Sequence, residues 1–222
     1  DECFELLEDI DRRFNSYQQG SYFDQINQKA GTWVTVDDEC IRILETVLLV
    51  SELTKGNFDV TCMPLLRLWG FYRHTNQDIP TPDAIQDCLK KVDYRTISIK
   101  DNNVKIQPGQ ETVTGSFIKA FATDKVTELL SERGITDAII NAGGSTIMAL
   151  NDDMHSSWKI NVPDPFQSDK FSERITIANQ CFSLSGRSNN NLVINGKTYG
   201  HILNPTNGLP VPTIQVGVVT KS

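Results

Sequence analysis

Helical apolar spacing fills roughly the first three-fifths of this 222-residue chain, and short β-branched runs fill the rest. That segregation is the strongest constraint on the fold. It disfavours regular βαβ alternation and predicts an α+β fold, with packed helices and an antiparallel sheet. Phe4, Leu6, Leu7, Ile10 and Phe14 recur at helical spacing among acids and arginines. Ser21 is placed to cap a short helix carrying Phe23 and Ile26. A longer helix is expected from about Asp37 to Thr54, with Ile41, Leu44, Val47, Leu48 and Leu53 as its apolar face and Gly56 just past its end. Phe58 to Tyr72 reads as irregular and rich in large side chains. Further helices are expected over about Asp83 to Lys91 and Gly115 to Arg133.

The strands come later. Thr32 to Val36 is a short early candidate, and Thr96 to Ile99 with Asn103 to Ile106 suggests a hairpin. Ala138 to Asn141, Thr146 to Leu150, Trp158 to Val162, Arg174 to Ala178 and Ile214 to Thr220 follow. Asn195-Gly196 is a strong two-residue hairpin signal between Asn191 to Ile194 and Lys197 to Ile202. The sequence shows neither an internal repeat nor a low-complexity tract, so one unit over residues 1–222 is the expected organisation. A chain of this length buries roughly 70% of its unfolded surface and needs no staples.

Composition narrows the function classes. The 21 basic and 28 acidic residues leave a net charge of −7, against non-specific nucleic-acid binding. The apolar runs, such as Val47 to Val50, fall far short of a membrane span. Five cysteines at long spacings form no CxxC pair, which excludes a zinc ribbon and a thioredoxin motif. With three histidines (His74, His155 and His201), a multi-histidine metal site would need nearly all of them.

Each motif has a bland reading beside the functional one. Gly143-Gly144-Ser145 after a strand is either a tight turn or a loop whose amides approach phosphate oxygens. Asn195-Gly196-Lys197-Thr198 lacks the upstream glycine of a phosphate-binding loop and reads as a hairpin. Asn151-Asp152-Asp153 reads as a solvated loop, since the glycine and glutamate of a calcium loop are missing. Gly115 to Asp124 opens a helix; Lys119 and Asp124 are either solvated or meet an anion at its positive end. Tyr17 suits a core position or a ring stack. His201, before Asn204-Pro205-Thr206-Asn207-Gly208, is either structural or a group titrating near neutral pH beside a rigid turn.

Taken in order, these pieces point one way. Phe14-Asn15-Ser16-Tyr17 with Ser21 and Asn27, Gly56 to Thr61, Pro64-Leu65 and Trp69-Gly70-Phe71 resemble the front half of the ApbE family. Gly115 to Asp124, Asn141-Ala142-Gly143-Gly144, Ser183 to Gly186 and His201 to Gly208 resemble its later motifs, so the likeness covers almost the whole chain. It implies a T-fold-like α+β domain and an FAD:protein FMN transferase, which uses Mg2+ to split FAD, joins FMN to a threonine or serine of a target protein, and releases AMP. The same resemblance implies His201 as the base, and Tyr17, Asn57, Lys119 and Asp124 as FAD contacts. It places Gly143, Gly144 and Ser185 in nucleotide-binding loops, and the Ser116 carbonyl near the metal. It also implies an acceptor of the redox-pump-subunit type, at the outer face of the bacterial cytoplasmic membrane or in the periplasm, with a lipid anchor upstream.

Three departures from the family pattern stand out. Ser145 replaces the aspartate of a Gly-Gly-Asp triplet, and Ala120 replaces the glycine after Lys119. A Met-Gly-Thr strand is expected before Asp1, and an Asp-Ala motif with a nearby Thr after Ser222, which would make these residues an incomplete domain. These departures motivate one alternative, a non-catalytic FAD-binding or carrier protein. The resemblance also admits FAD hydrolysis to FMN and AMP, and the bland reading of each motif taken alone supports a third, a partner-binding domain with no flavin.

Overall fold

Helix-forming and strand-forming segments stay segregated in the folded chain. The computed structural model describes residues 1–72, 78–167, 169–186 and 191–221; His74 lies outside them. The helices are α1 (Glu2–Phe14), α2 (Tyr22–Gln28), α3 (Asp38–Leu53), α4 (Met63–Trp69), α5 (Pro82–Leu89) and α6 (Ile118–Glu132). No helix among the described residues is long and apolar enough to cross a membrane.

Local chemistry sets most boundaries. Ser21 caps α2 by accepting from the Asp24 N–H, and Asp37 caps α3 by accepting from Cys40. The buried stripe of α3 is Cys40, Ile43, Leu44, Val47 and Ser51. Leu53, expected on that face, is 73% exposed, because two residues beyond Ser51 turn it about 200° around the helix. α4 forms where irregular chain was expected: Pro64 starts it, and Gly70, at φ +84°, ends it. α6 begins at Ile118 rather than Gly115, because the Thr114 carbonyl accepts from both Phe117 and Ile118 and closes a turn first.

Contacts group the chain into two units. One comprises residues 1–8, 119–189 and 212–222. Its four-stranded sheet contains β4 (Ala138–Asn141), β5 (Thr146–Leu150), β8 (Gln180–Gly186) and β11 (Gln215–Lys221), antiparallel in the order β11-β8-β5-β4. A second pair, β6 (Trp158–Pro163) with β7 (Phe171–Ile177), supplies Ile160, Val162 and Ile177 to a core shared with Ile147, Ala149 and Phe182.

The other unit comprises residues 9–118 and 190–211. It holds β1 (Val34–Thr35), β2 (Ser98–Lys100) and β3 (Asn103–Lys105) in the order β1-β3-β2, and the hairpin β9 (Asn191–Ile194) with β10 (Lys197–Gly200). Asn195 at φ +50° and Gly196 at φ +75° make the expected hairpin turn. Leu192 and Ile194 of that hairpin share a core with Trp69, Phe71 and Ile85.

Candidate functional site

The His201 segment is built by its own side chains and closed by one distant tryptophan. Asn204 Oδ1 accepts from the N–H groups of Thr206 and Asn207 at 2.8 and 3.3 Å, and Asn207 Oδ1 accepts from Leu209 at 2.9 Å. Backbone bonds Asn204 to Leu209 and Val211 to Ile202, each 2.9 Å, clamp the base of the turn. Gly208 lies at φ +71°, and its carbonyl accepts from the Trp69 indole at 2.8 Å. A Cβ at Gly208 would stand 2.5 Å from Ile85 Cγ2, so only glycine fits without movement. His201 is half-buried, with its ring edge-on to Phe71 at 6.4 Å. The Trp-Gly-Phe and His-Ile-Leu-Asn-Pro pieces read from the sequence are therefore packed partners.

The Tyr17 region belongs to the same unit. Ser16 and Thr114 bond reciprocally: Ser16 N–H to Thr114 Oγ1 at 3.0 Å, and Thr114 N–H to Ser16 Oγ at 3.2 Å. Asn27 takes both the N–H and the hydroxyl of Thr112, and the Val113 N–H donates to Val60. Ser16 and Asn27 thus stitch the front of the chain to Thr112–Thr114, whose end carries Gly115 and the exposed Ser116, and the Ser21 hydroxyl donates to the Asn15 carbonyl within the front segment itself. Tyr17 itself is 47% exposed and stacks on Tyr72 with centroids 5.2 Å apart and planes at 15°. Burial of part of the ring raises its phenol above the ordinary value. Asn57 is exposed and donates through Nδ2 to the Thr54 carbonyl, satisfying the end of α3.

A second group of expected residues sits at one end of the four-stranded sheet. Gly143 and Gly144, at φ +69° and +74°, turn β4 into β5, and the Gly144 N–H is held by Asn141 Oδ1 at 2.7 Å. Lys119 Nζ donates to Ser145 Oγ at 2.9 Å and stands 3.9 Å from where a Gly143 Cβ would be. The Ser145 carbonyl accepts from Leu184 on β8, which brings the next residue, Ser185, to the same end. Ser185 is on a strand rather than in the loop expected for it. β8 pairs with β5 on one side and β11 on the other, and its serines alternate with Phe182 and Leu184. Asp124 is one turn further along α6. Burial, then the charge of Glu128, holds its carboxyl above the usual carboxylate range against the opposing Lys125.

The ApbE family model matches residues 1–222. The chain belongs to the ApbE family. The FAD:protein FMN transferase of Treponema pallidum (strain Nichols) is 26% identical over 234 residues, covering 96% of this chain and 64% of that protein. That of Vibrio cholerae O395 is 26% identical over 224 residues, covering 98% of this chain and 67% of that protein. Among solved structures, the ApbE protein of Thermotoga maritima superposes with a TM-score of 0.91 at 25% identity, covering 99% of this chain and 72% of that one. The apo flavinyl transferase ApbE of Pseudomonas stutzeri reaches 0.86 at 23% identity, covering 100% of this chain and 70% of that one, which shows a shared fold.

Within this ApbE chain, the expected residues form a charged glycine turn in one unit, and a histidine loop and a tyrosine stack in the other. The first offers an ammonium and backbone amides suited to phosphate oxygens. The second offers an imidazole on a rigid turn and an aromatic face. Among the described residues, no group of three or more His, Cys, Asp or Glu side chains is arranged to hold a metal ion. Magnesium is bound through oxygen ligands that usually include a carboxylate, and the Ser116 carbonyl is a single such oxygen. Sequence reasoning missed Tyr72 as the ring behind Tyr17. Its position directly after the Trp-Gly-Phe motif was the available signal.

Proposed function

We propose that this chain is the FAD-handling part of an FAD:protein FMN transferase. The observation that carries the reading is the match of all 222 residues to the ApbE family, together with curated relatives named for that activity. In the proposed reaction the hydroxyl oxygen of an acceptor threonine or serine bonds to the FMN phosphorus. The bond from that phosphorus to the bridging oxygen breaks, and AMP leaves with that oxygen. His201 takes the hydroxyl proton as general base. Lys119 and the amide of Gly143 stabilise charge on the pyrophosphate, while Gly144, its own N–H held by Asn141, shapes the turn. Tyr17 offers its face to the flavin; Asn57, Asp124 and Ser185 complete the FAD contacts.

The reading includes magnesium dependence, with the Ser116 carbonyl as this chain's candidate ligand. A bound magnesium would neutralise phosphate charge. The described residues do not by themselves assemble its site. The resemblance alone supports an acceptor of the redox-pump type outside the cytoplasmic membrane.

A second reading, FAD binding or hydrolysis without transfer, is favoured by one contact. Lys119 meets the hydroxyl of Ser145 where the family pattern has a carboxylate. Incubating the full-length protein with FAD, magnesium and a threonine-bearing acceptor separates the two. Transfer adds the mass of an FMN moiety to the acceptor with equimolar AMP. Free FMN and AMP without an adduct indicate hydrolysis. An FAD-dependent rise in Tm with neither product indicates binding only.

A further inference from the structure

Tyr17 is backed by a run of contacts. Its ring lies nearly parallel to Tyr72, at 5.2 Å and 15°. The Arg67 guanidinium carbon stands 4.3 Å from the centroid of the Tyr72 ring. Arg67 Nε donates to Glu111 Oε2 at 2.8 Å, and Glu111 is held in place by a backbone bridge to Cys62. On the main-chain side, the Tyr17 N–H donates to Asn15 Oδ1 at 2.9 Å, and the neighbouring Ser16 is locked to Thr114. The ring is therefore fixed from its backbone and from one face, yet 47% of Tyr17 remains exposed. Glycine at 115 adds no side chain beside its hydroxyl end: even a Cβ there would come no closer than 4.0 Å.

A tyrosine on a free surface would lose rotamer freedom on stacking with a ligand. A ring already held by a second ring and a cation has lost it beforehand. From this we infer that Tyr72 and Arg67 are positioning residues: they hold Tyr17 as a preset platform for the isoalloxazine end of FAD, and they do so through Tyr17 without touching the ligand. The inference rests on the proposed FAD-handling reading, in which Tyr17 faces the flavin, and goes beyond it in assigning what fixes that platform. Aromatic pairing of this kind changes affinity by about two- to tenfold.

The test compares wild-type protein with Tyr72→Ala, Tyr72→Phe and Arg67→Met, using FMN and ADP as separate probes of the two halves of FAD. Flavin fluorescence reads the stack and calorimetry reads Kd. Tyr72→Ala is expected to weaken FMN about two- to tenfold and to relieve fluorescence quenching, with ADP affinity unchanged. Tyr72→Phe keeps the ring and is expected to behave as wild type. Arg67→Met gives a smaller change in the same direction. Equal loss of FMN and ADP in Tyr72→Ala, or wild-type FMN binding and quenching in it, overturns the inference. Weakening of ADP alone overturns it in favour of adenine on Tyr17. If wild-type protein binds neither FAD nor FMN, the FAD-handling reading itself fails. Melting curves identify any variant that has lost its fold, in which case Tyr72→Phe against Tyr72→Leu carries the comparison.

Discussion

The indole N–H of Trp69 donates to the carbonyl of Gly208 across 2.8 Å, joining residues 139 positions apart. Trp69 is 1% exposed, so a buried acceptor depends on it. Trp69→Phe keeps an aromatic ring but strands that carbonyl. The expected loss is about 1–3 kcal/mol, the cost of an unsatisfied buried polar group. Urea unfolding checks it: the midpoint should fall while the slope holds. An unchanged midpoint would mean that the carbonyl finds another donor.

Gly208→Ala should be more damaging than Gly196→Ala, although both glycines lie in left-handed backbone, at φ +71° and +75°. A Cβ at 196 meets nothing within 4 Å, so only the conformational penalty of about 1–2 kcal/mol applies. A Cβ at 208 meets Ile85 at 2.5 Å and Leu65 at 3.1 Å. Overpacking adds about 1–3 kcal/mol there. Thermal unfolding of the two variants side by side isolates the packing contribution.

Lys119→Met removes the ammonium that meets Ser145 Oγ. Under the proposed reading it should weaken FAD by roughly ten- to a hundredfold, the range for a charged hydrogen bond. The wild-type affinity should fall with added salt, and the variant's less so. Titration calorimetry at two ionic strengths reads both. Ser145→Ala should cost less, since the lysine charge stays.

His201→Ala should lower kcat more than it weakens FAD, if His201 acts on the acceptor hydroxyl. Single-turnover transfer alongside an FAD titration separates these. Equal losses in both would assign His201 to binding.

Acid stability should depend on Asp37. Burial works to raise its carboxyl, but hydrogen bonds from Arg13, the Cys40 N–H and Tyr22 outweigh it and hold it below the usual carboxylate range. A folded value below the unfolded one, about 3.9, means that the contribution is complete above that pH. It is lost as pH falls through the lowered folded value. Asp37→Asn keeps a capping side chain at α3 and removes the charge. Denaturation between about pH 2 and pH 5 should be flatter in this variant than in the wild type. Parallel curves would remove Asp37 from the acid transition.

The fold was legible where local chemistry decides it. Ser21, Asp37, Gly134 and Asn195-Gly196 mark element ends because capping and positive φ are set by adjacent residues. β8 was not legible as a strand. Its pairing with both β5 and β11 is long-range, and a serine-rich stretch carries little strand signal of its own. The candidate site divides in the same way. The order of the motifs pointed to Lys119, His201 and the glycine pair. That Ser16 and Asn27 serve as latches, and that Tyr72 backs Tyr17, depends on partners tens of residues away. Nothing in local spacing encodes those distances.

The unit built from residues 9–118 and 190–211 is split in the chain, and this bears on its synthesis. Trp69, Phe71 and Ile85 leave the ribosome well before Leu192 and Ile194, which complete their core. At about 5–20 residues per second, roughly a hundred intervening residues amount to some 5–20 seconds of exposed aromatic surface. During that interval Trp69 has no Gly208 carbonyl to bind. Nascent chains that end before about residue 211 should therefore be the ones held by chaperones and cut by proteases, and release of the hairpin and its histidine loop should end that vulnerability.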